Sequence, residues 1–490
     1  MIKRNLLTQP CWSAKDLGHA LPDSPHAVSV ALPRWEDVVA YEEKDSDLLN
    51  ALCAIYPRFG LNHLVLEVAQ HAPIPIEWDD CSVWPYPNIM TARKAKRHCQ
   101  RSKNLGKTLI SEVLGLQCLI TDSTATPAAK AFWQHTGLGA SSRLAAIALN
   151  KEKAPSPKTG ENARKTICSR LAAIYTCPPG NIGLHPSGMA ALSNALDAIN
   201  ELSPQKSTIQ IGFPYVDVLK LPQVINHGSN LVLNTDPIHL EKKLTDEKPS
   251  AVIVELPSNP MLQCIDLPTI SKLAHDRGIL VIADDTVGSA VNIDALPYAD
   301  LIFSSLTKSF AGRGDILAGA LVVSPESQWE QELTQLISET NLAPLADLDA
   351  IALEETSRDV KSRVSQLNKA CLKLKRHLEE HPDIAEVLHP ESCPNFQALM
   401  RPGAGHGCLL SFRLVGGLSK AKKFYDSLEV CKGPSLGTNF TLACPYVLLA
   451  HYKELNWAER CGVPADLLRV SVGLEDPEKL WQRFQKALLT

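Results

Sequence analysis

Six short apolar runs between Lys165 and Pro325 constrain the fold more than any other feature of the chain. They are Thr208-Ile209-Gln210-Ile211, Asn230-Leu231-Val232-Leu233, Ala251-Val252-Ile253-Val254, Ile279-Leu280-Val281-Ile282-Ala283, Leu301-Ile302-Phe303 and Ala320-Leu321-Val322-Val323. Most are continuously apolar rather than alternating, and helical stretches separate them. Runs of this kind belong to strands covered on both faces, and their alternation with helices favours parallel pairing. Between two of them, Asp266-Leu267-Pro268 opens a helix that closes at Arg277-Gly278. An Asp N-cap, an early Pro and a Gly C-cap are the punctuation of a crossover helix. The segment therefore predicts a doubly wound α/β domain with a mostly parallel sheet.

The flanks differ in texture. Residues 1–165 read as an irregular N-terminal arm rich in Pro, Trp and His, closed by a polar linker over Asn150 to Asn162. Residues 166–330 form the α/β domain, and 331–380 a long helical connection whose helix runs from about Asp347 to Glu380. Residues 381–490 read as a smaller α+β domain. Its strands are Gly407 to Phe412 and Leu468 to Val472, and its helices lie near Ala421 to Leu428 and Pro477 to Leu489. The segment Leu61 to Leu119 matches no chemistry and reads as packing or subunit contact.

A net charge of −4 over 490 residues gives no bias toward nucleic acid or an anionic membrane surface. The short basic cluster Arg93 to Arg97 reads as a solvated helix face. No stretch is long and apolar enough to span a bilayer, and Met1 to Leu7 lacks the apolar core of a secretory signal. The fourteen cysteines are scattered, with no C-x-x-C pair and no histidine at zinc-ligand spacing. They predict reduced thiols, no metal site and a cytoplasmic protein.

In open α/β sheets, ligands collect at the carboxyl ends of the strands. Four features of this chain fall there or at a helix start. Ser187-Gly188-Met189-Ala190-Ala191 opens a helix, where glycine allows close backbone approach and free N–H groups bind an anion. Asn259, held extended by Pro260 in Glu255-Leu256-Pro257-Ser258-Asn259-Pro260, presents an amide. Asp284 leaves the strongest apolar run, where a carboxylate must be paired or functional, and facing a pyridine nitrogen it would keep that nitrogen protonated. Its neighbour Asp285 better suits capping of the following turn. Ser305-Leu306-Thr307-Lys308 places a lysine among hydroxyls at the mouth of a buried strand, as required to hold an aldehyde cofactor as a Schiff base. Each piece is ordinary alone. Anion cradle, amide, acid and lysine in one α/β domain together describe a pyridoxal-phosphate site.

The ordered motifs S-G-M-A-A, E-x-P-S-N-P, D-x-T and S-x-T-K resemble those of the Cys/Met-metabolism group of fold-type-I pyridoxal-phosphate-dependent transferases, the trans-sulfuration enzymes. Within that group the chain looks closest to the fungal cystathionine γ-synthases. His26 to Val30, Tyr41-Glu42-Glu43, Tyr56 to Phe59, Phe132 to Gly137 and Lys432 to Phe440 carry this second likeness. The resemblance implies that Lys308 bonds the cofactor and later moves protons, and that Asp284 pairs with the ring nitrogen. It further implies that Gly188, Met189, Ser305 and Thr307 hold the phosphate, and that Tyr56 and Arg58 reach the phosphate of a neighbouring subunit. Arg469 would clamp the substrate α-carboxylate, assisted by Asn259 and the backbone near Ser435; a planar fork suits that anion.

The implied reaction is γ-replacement on an O-acyl-L-homoserine, usually O-acetyl in fungi, with L-cysteine as acceptor, in methionine biosynthesis. A specialised-metabolism relative would instead add a carbon nucleophile to the same vinylglycine-type intermediate and make a non-proteinogenic amino acid. A γ- or β-lyase is a third option, and a non-catalytic oligomeric scaffold needs none of Lys308, Asp284 and Arg469. The resemblance also implies a homodimer or homotetramer with shared sites. Four positions depart from the pattern. Ile211 occupies the place of a ring-stacking tyrosine, so that Phe213 or Tyr215 must substitute. Asp285 replaces an Asn, Pro434 replaces an acidic residue that often precedes S-L-G, and Arg313 stands where relatives carry His or a small polar residue.

Overall fold

The computed structural model describes residues 4–57, 59–78, 80–101 and 105–490. The described residues between 61 and 149, read from sequence as part of an irregular arm, form an ordered layer. Strands β1 (Ser82–Tyr86), β2 (Thr108–Val113) and β3 (Leu116–Thr121) make an antiparallel sheet in the order β1-β3-β2. Pro85 obscured β1 in the sequence, and it is tolerated because β1 is an edge strand. Leu114 and Gly115, both at positive φ, close the two-residue β2–β3 turn. Leu-Gly is a weak hairpin signal, which is why the pair was not legible. Helices His63–Gln70, Ile89–Arg101 and Thr126–Thr136 pack around this sheet.

The central sheet contains β4 (Ile182–His185), β5 (Thr208–Ile211), β6 (Ser229–Val232), β7 (Ala251–Glu255), β8 (Leu280–Asp284), β9 (Leu301–Ser305) and β10 (Gly319–Val323), in the order β4-β10-β9-β8-β7-β5-β6. Five strands are parallel, and β10 runs antiparallel to both β9 and β4. The expected mostly parallel α/β sheet is present, with helices on both faces. All residues of β7, β8 and β10 are buried, as their continuous apolar character requires. The crossover helix is Leu267–His275, with the Asp266 carboxylate accepting from Thr269 N–H and Gly278 at φ +65°.

The connection after β10 is broken into Asp347–Thr356 and Val360–Glu379 rather than one long helix. The C-terminal sheet holds β11 (Ile384–Leu388), β12 (Leu409–Leu414), β13 (Cys431–Lys432), β14 (Leu442–Pro445) and β15 (Leu468–Ser471), in the order β11-β12-β15-β14-β13. Its core takes in Ala27, Val30, Leu32, Trp35, Val38 and Tyr41, so the first N-terminal segment belongs to this domain by packing. Lys432 locks that arrangement. Fully buried, its Nζ donates to the carbonyls of Trp12, Pro33 and Asp426, which satisfies a cation that burial alone would penalise. Among the described residues, no helix is long and apolar enough to cross a membrane, and no cluster of His, Cys, Asp and Glu suits a metal ion.

Candidate active site

The carboxyl ends of β7, β8 and β9 open into one pocket, closed by the start of helix Gly188–Leu202, the 434–436 loop and N-terminal segments. The Ser187 hydroxyl accepts from Ala190 N–H and donates to the Gly137 carbonyl, pinning the helix start. A Cβ at Gly188 would lie 2.8 Å from Ser305 Cβ, so only glycine lets this helix end sit against β9. The helix is fifteen residues long, and its first N–H groups and dipole favour an anion beside Ser305 and Met189.

Lys308 projects into the pocket. Its Nζ donates to Tyr56 Oη at 3.4 Å and to Ser435 Oγ at 3.3 Å, and stands 5.3 Å from the Tyr56 ring centre. Tyr56 belongs to the same chain. Arg58, its expected partner in reaching a phosphate, lies outside the described residues. Thr307 lines the pocket, but its hydroxyl donates to the Ala318 carbonyl and accepts from Ala318 N–H. These two bonds secure the turn after β9.

Asp284 ends β8 with Oδ1 accepting from Thr286 N–H, and Thr286 Oγ1 accepts from Ser305 N–H. Burial pushes the Asp284 carboxyl up to about 7, and the neighbouring Asp285 adds to the rise. A cation beside it would reverse the shift, so the site favours a protonated nitrogen partner. Asp285 points the other way, accepting from Tyr175 Oη at 2.7 Å, with burial raising it to about 6. The expected division between the two is overturned in one respect: Asp284, not Asp285, caps the turn. A strand alternates its side chains, so one carboxylate enters the pocket while the other enters the core.

Arg469, on β15, forms the opposite wall. Nη1 donates to Asn259 Oδ1 at 3.3 Å, and Nη2 to the carbonyls of Pro434 and Ser435 at 3.1 and 2.9 Å. The guanidinium lies 5.0 Å from the Tyr446 ring centre. Its Nε is buried with no hydrogen-bond partner among the described residues. A buried arginine with an orphaned donor is arranged for an anionic ligand.

Glu255 was missed in the sequence. Its Oε2 accepts from both Tyr215 N–H and Asn259 N–H, and burial holds its carboxyl well above the usual range. The first residue of E-x-P-S-N-P was the available signal. The two candidate ring-facing aromatics occupy different places. Tyr215 lines the pocket, whereas Phe213 packs against His451 and Trp457 and Ile211 is buried in β5. Leu61, Asn62 and Val65 also line the pocket, so the segment read as mere packing begins at the site. Arg313 instead pairs with Asp315 at 2.6 Å.

His185, at the end of β4, is buried with Nε2 unpartnered, and burial lowers it to about 3. Between its unfolded value near 6.5 and that folded value, only the unfolded chain binds the proton. Stability from this group is complete above about 6.5 and falls as pH falls, by about 1.4 kcal/mol per pH unit. Asp284 and Asp285, both raised, act in the opposite sense over their own windows. The clean measurement is therefore a difference. Urea unfolding of wild type and His185→Gln should diverge between pH 6.5 and 4.5, wild type losing about 1.4 kcal/mol per pH unit relative to the variant as pH falls; parallel pH dependences would refute the assignment.

The profile of the Cys/Met metabolism PLP-dependent enzyme family matches residues 158–489. The chain is 31% identical to the cystathionine gamma-synthase-like protein ankD of Aspergillus thermomutatus, over 95% of this chain and 93% of that one. It is 29% identical to the cystathionine gamma-synthase of Neurospora crassa, covering 96% and 98%. The crystal structure of cystathionine gamma synthase from Xanthomonas oryzae pv. oryzae in complex with cystathionine shares the fold, with a TM-score of 0.61 at 24% identity over 69% of this chain and 88% of that one. The match spans the central and C-terminal domains that carry Lys308, Asp284 and Arg469. A buried aspartate, a glycine-opened helix start and a pocket lysine have the chemistry to suit pyridoxal phosphate, and the buried Arg469 suits the carboxylate of an amino acid. The chain is a member of the Cys/Met metabolism PLP-dependent enzyme family.

Proposed function

We propose that the protein catalyses γ-replacement on an O-acyl-L-homoserine, with acetyl as the acyl group and L-cysteine as the acceptor, yielding cystathionine. The observation that carries this reading is the placement of Lys308 across the pocket from the Arg469–Asn259 pair. An amino acid anchored by its α-carboxylate there presents its carbon chain toward the lysine. When bound, pyridoxal phosphate supplies an electron sink for charge that develops on the substrate carbons. Asp284 would hold its ring nitrogen, Tyr215 its face, and Gly188, Met189 and Ser305 its phosphate. Lys308 Nζ takes the proton from Cα, delivers it to the far end of the conjugated system, and as a free amine again takes one from Cβ, so that the acyl group leaves from Cγ as a carboxylate. Tyr56 Oη and Ser435 Oγ hold the amine in position between these transfers.

The second reading adds a carbon acid at the same γ-carbon. The apolar wall of Leu61, Val65, Trp133, Leu436 and Leu449 supports it. Incubating the cofactor-loaded enzyme with O-acetylhomoserine, with and without cysteine, separates the two by product mass. Cystathionine is expected; donor consumption without cystathionine in the presence of cysteine would overturn the first reading.

The reading places the enzyme in cytoplasmic amino-acid biosynthesis, as a homodimer or homotetramer. Because Tyr56 meets Lys308 within one chain, mixing Lys308→Ala with Tyr56→Ala protein under subunit exchange is expected to restore no activity. Restoration would show that Tyr56 is exchanged between subunits.

A further inference from the structure

Three residues far apart in sequence form a hydrogen-bonded chain that ends in the same pocket. His26 Nε2 lies 2.7 Å from Glu152 Oε1, and His26 Nδ1 lies 2.9 Å from Ser142 Oγ. His26 is only 6% exposed, while the Glu152 side chain is 35% exposed. His26 and Ser142 line the Lys308 pocket; Glu152 does not. A carboxylate accepts, so the imidazole proton sits on Nε2 and Nδ1 is left to accept from the Ser142 hydroxyl. The chain is thus polarised, with its basic end at the pocket and its acidic end toward solvent.

We propose that Ser142, His26 and Glu152 form the acid–base relay that deprotonates the incoming nucleophile. This rests on the γ-replacement reading. Lys308 is engaged with the donor carbons and held by Tyr56 and Ser435. The acceptor brings its own proton, which must leave as the new bond forms. In the step, the acceptor X–H gives its proton to Ser142 Oγ while the Ser142 proton passes to His26 Nδ1; the X electron pair forms the bond to Cγ as the Cβ–Cγ π pair withdraws toward Cα, and Cβ then takes back the proton that Lys308 removed. Glu152 stabilises the resulting imidazolium and passes one proton to solvent. Together with the carboxylate released earlier, charge and atoms balance. A thiol is mostly protonated at neutral pH, so a positioned base is expected to contribute ~10²–10⁴-fold.

The test uses the cofactor-loaded enzyme, O-acetylhomoserine and a series of thiols of decreasing pKa. His26→Gln is expected to lower the ratio of replacement product to the keto acid formed by elimination at least ~10²-fold with cysteine. That deficit should shrink as the thiol becomes more acidic, because an ionised acceptor needs no base. Ser142→Ala, which keeps the His26–Glu152 pair, should show the same trend. Visible absorbance of the bound cofactor reports whether each variant is folded and loaded. A deficit equal for all thiols, or none, would overturn the relay and leave His26 as a structural tie, with γ-replacement intact. If wild type forms no replacement product with any thiol, both the relay and the parent reading fall.

Discussion

Lys308→Ala is expected to lower turnover by at least ~10³-fold, the effect of removing a group that both bonds a cofactor and moves protons. The reason is positional. No other amine stands in hydrogen-bond reach of Tyr56 Oη and Ser435 Oγ among the described residues, and the pocket wall facing the substrate carbons has no second ammonium group. Steady-state rates with O-acetylhomoserine give the size of the loss. A second readout is colour: wild type should be yellow and bleach with borohydride, and the variant should not become irreversibly reduced. A variant within about tenfold of wild type, a difference of only about 1.4 kcal/mol in the barrier, would remove Lys308 from the mechanism.

Arg469→Lys is expected to lower kcat/KM for the donor by ~10²–10³-fold, which corresponds to the loss of a buried, charge-assisted fork. Lysine keeps the charge but not the plane. It cannot reach Asn259 Oδ1 and the Pro434 and Ser435 carbonyls at once, and it leaves those acceptors unsatisfied. Because the Ser435 hydroxyl also meets Lys308, part of the loss should appear in kcat through displacement of the amine. Donor saturation curves at fixed cysteine, with thermal unfolding as the control for folding, separate the effects. An unchanged KM together with an unchanged kcat would show that the α-carboxylate binds elsewhere.

The legible and illegible parts of the site differ in a consistent way. Lys308, Asp284 and Gly188 could be read because each sits at a strand end or helix start, where the residue type and its immediate neighbours state the constraint. The misreadings concern groups whose role depends on which way a side chain points. Asp284 and Asp285 are adjacent, and only the pleat of β8 sends one to the pocket and the other to Tyr175. Thr307 bonds Ala318, eleven positions away, a partner that its own motif does not record. The N-terminal layer was lost to a proline on an edge strand and a hairpin turn without Asn or Asp.

The amino-acid sequence alone determined the parallel α/β core, the order of the cofactor motifs and the lysine at their end. These follow from hydrophobic runs and local spacing, which act over a few residues. Tertiary structure decided the rest. It set Asn259 against Arg469 across 210 positions, His26 against Glu152 across 126, and Tyr56 beside Lys308 of its own chain across 252. Such pairings arise from packing of whole layers, where burial of apolar faces fixes the register and the polar groups meet as a consequence. No local pattern records them.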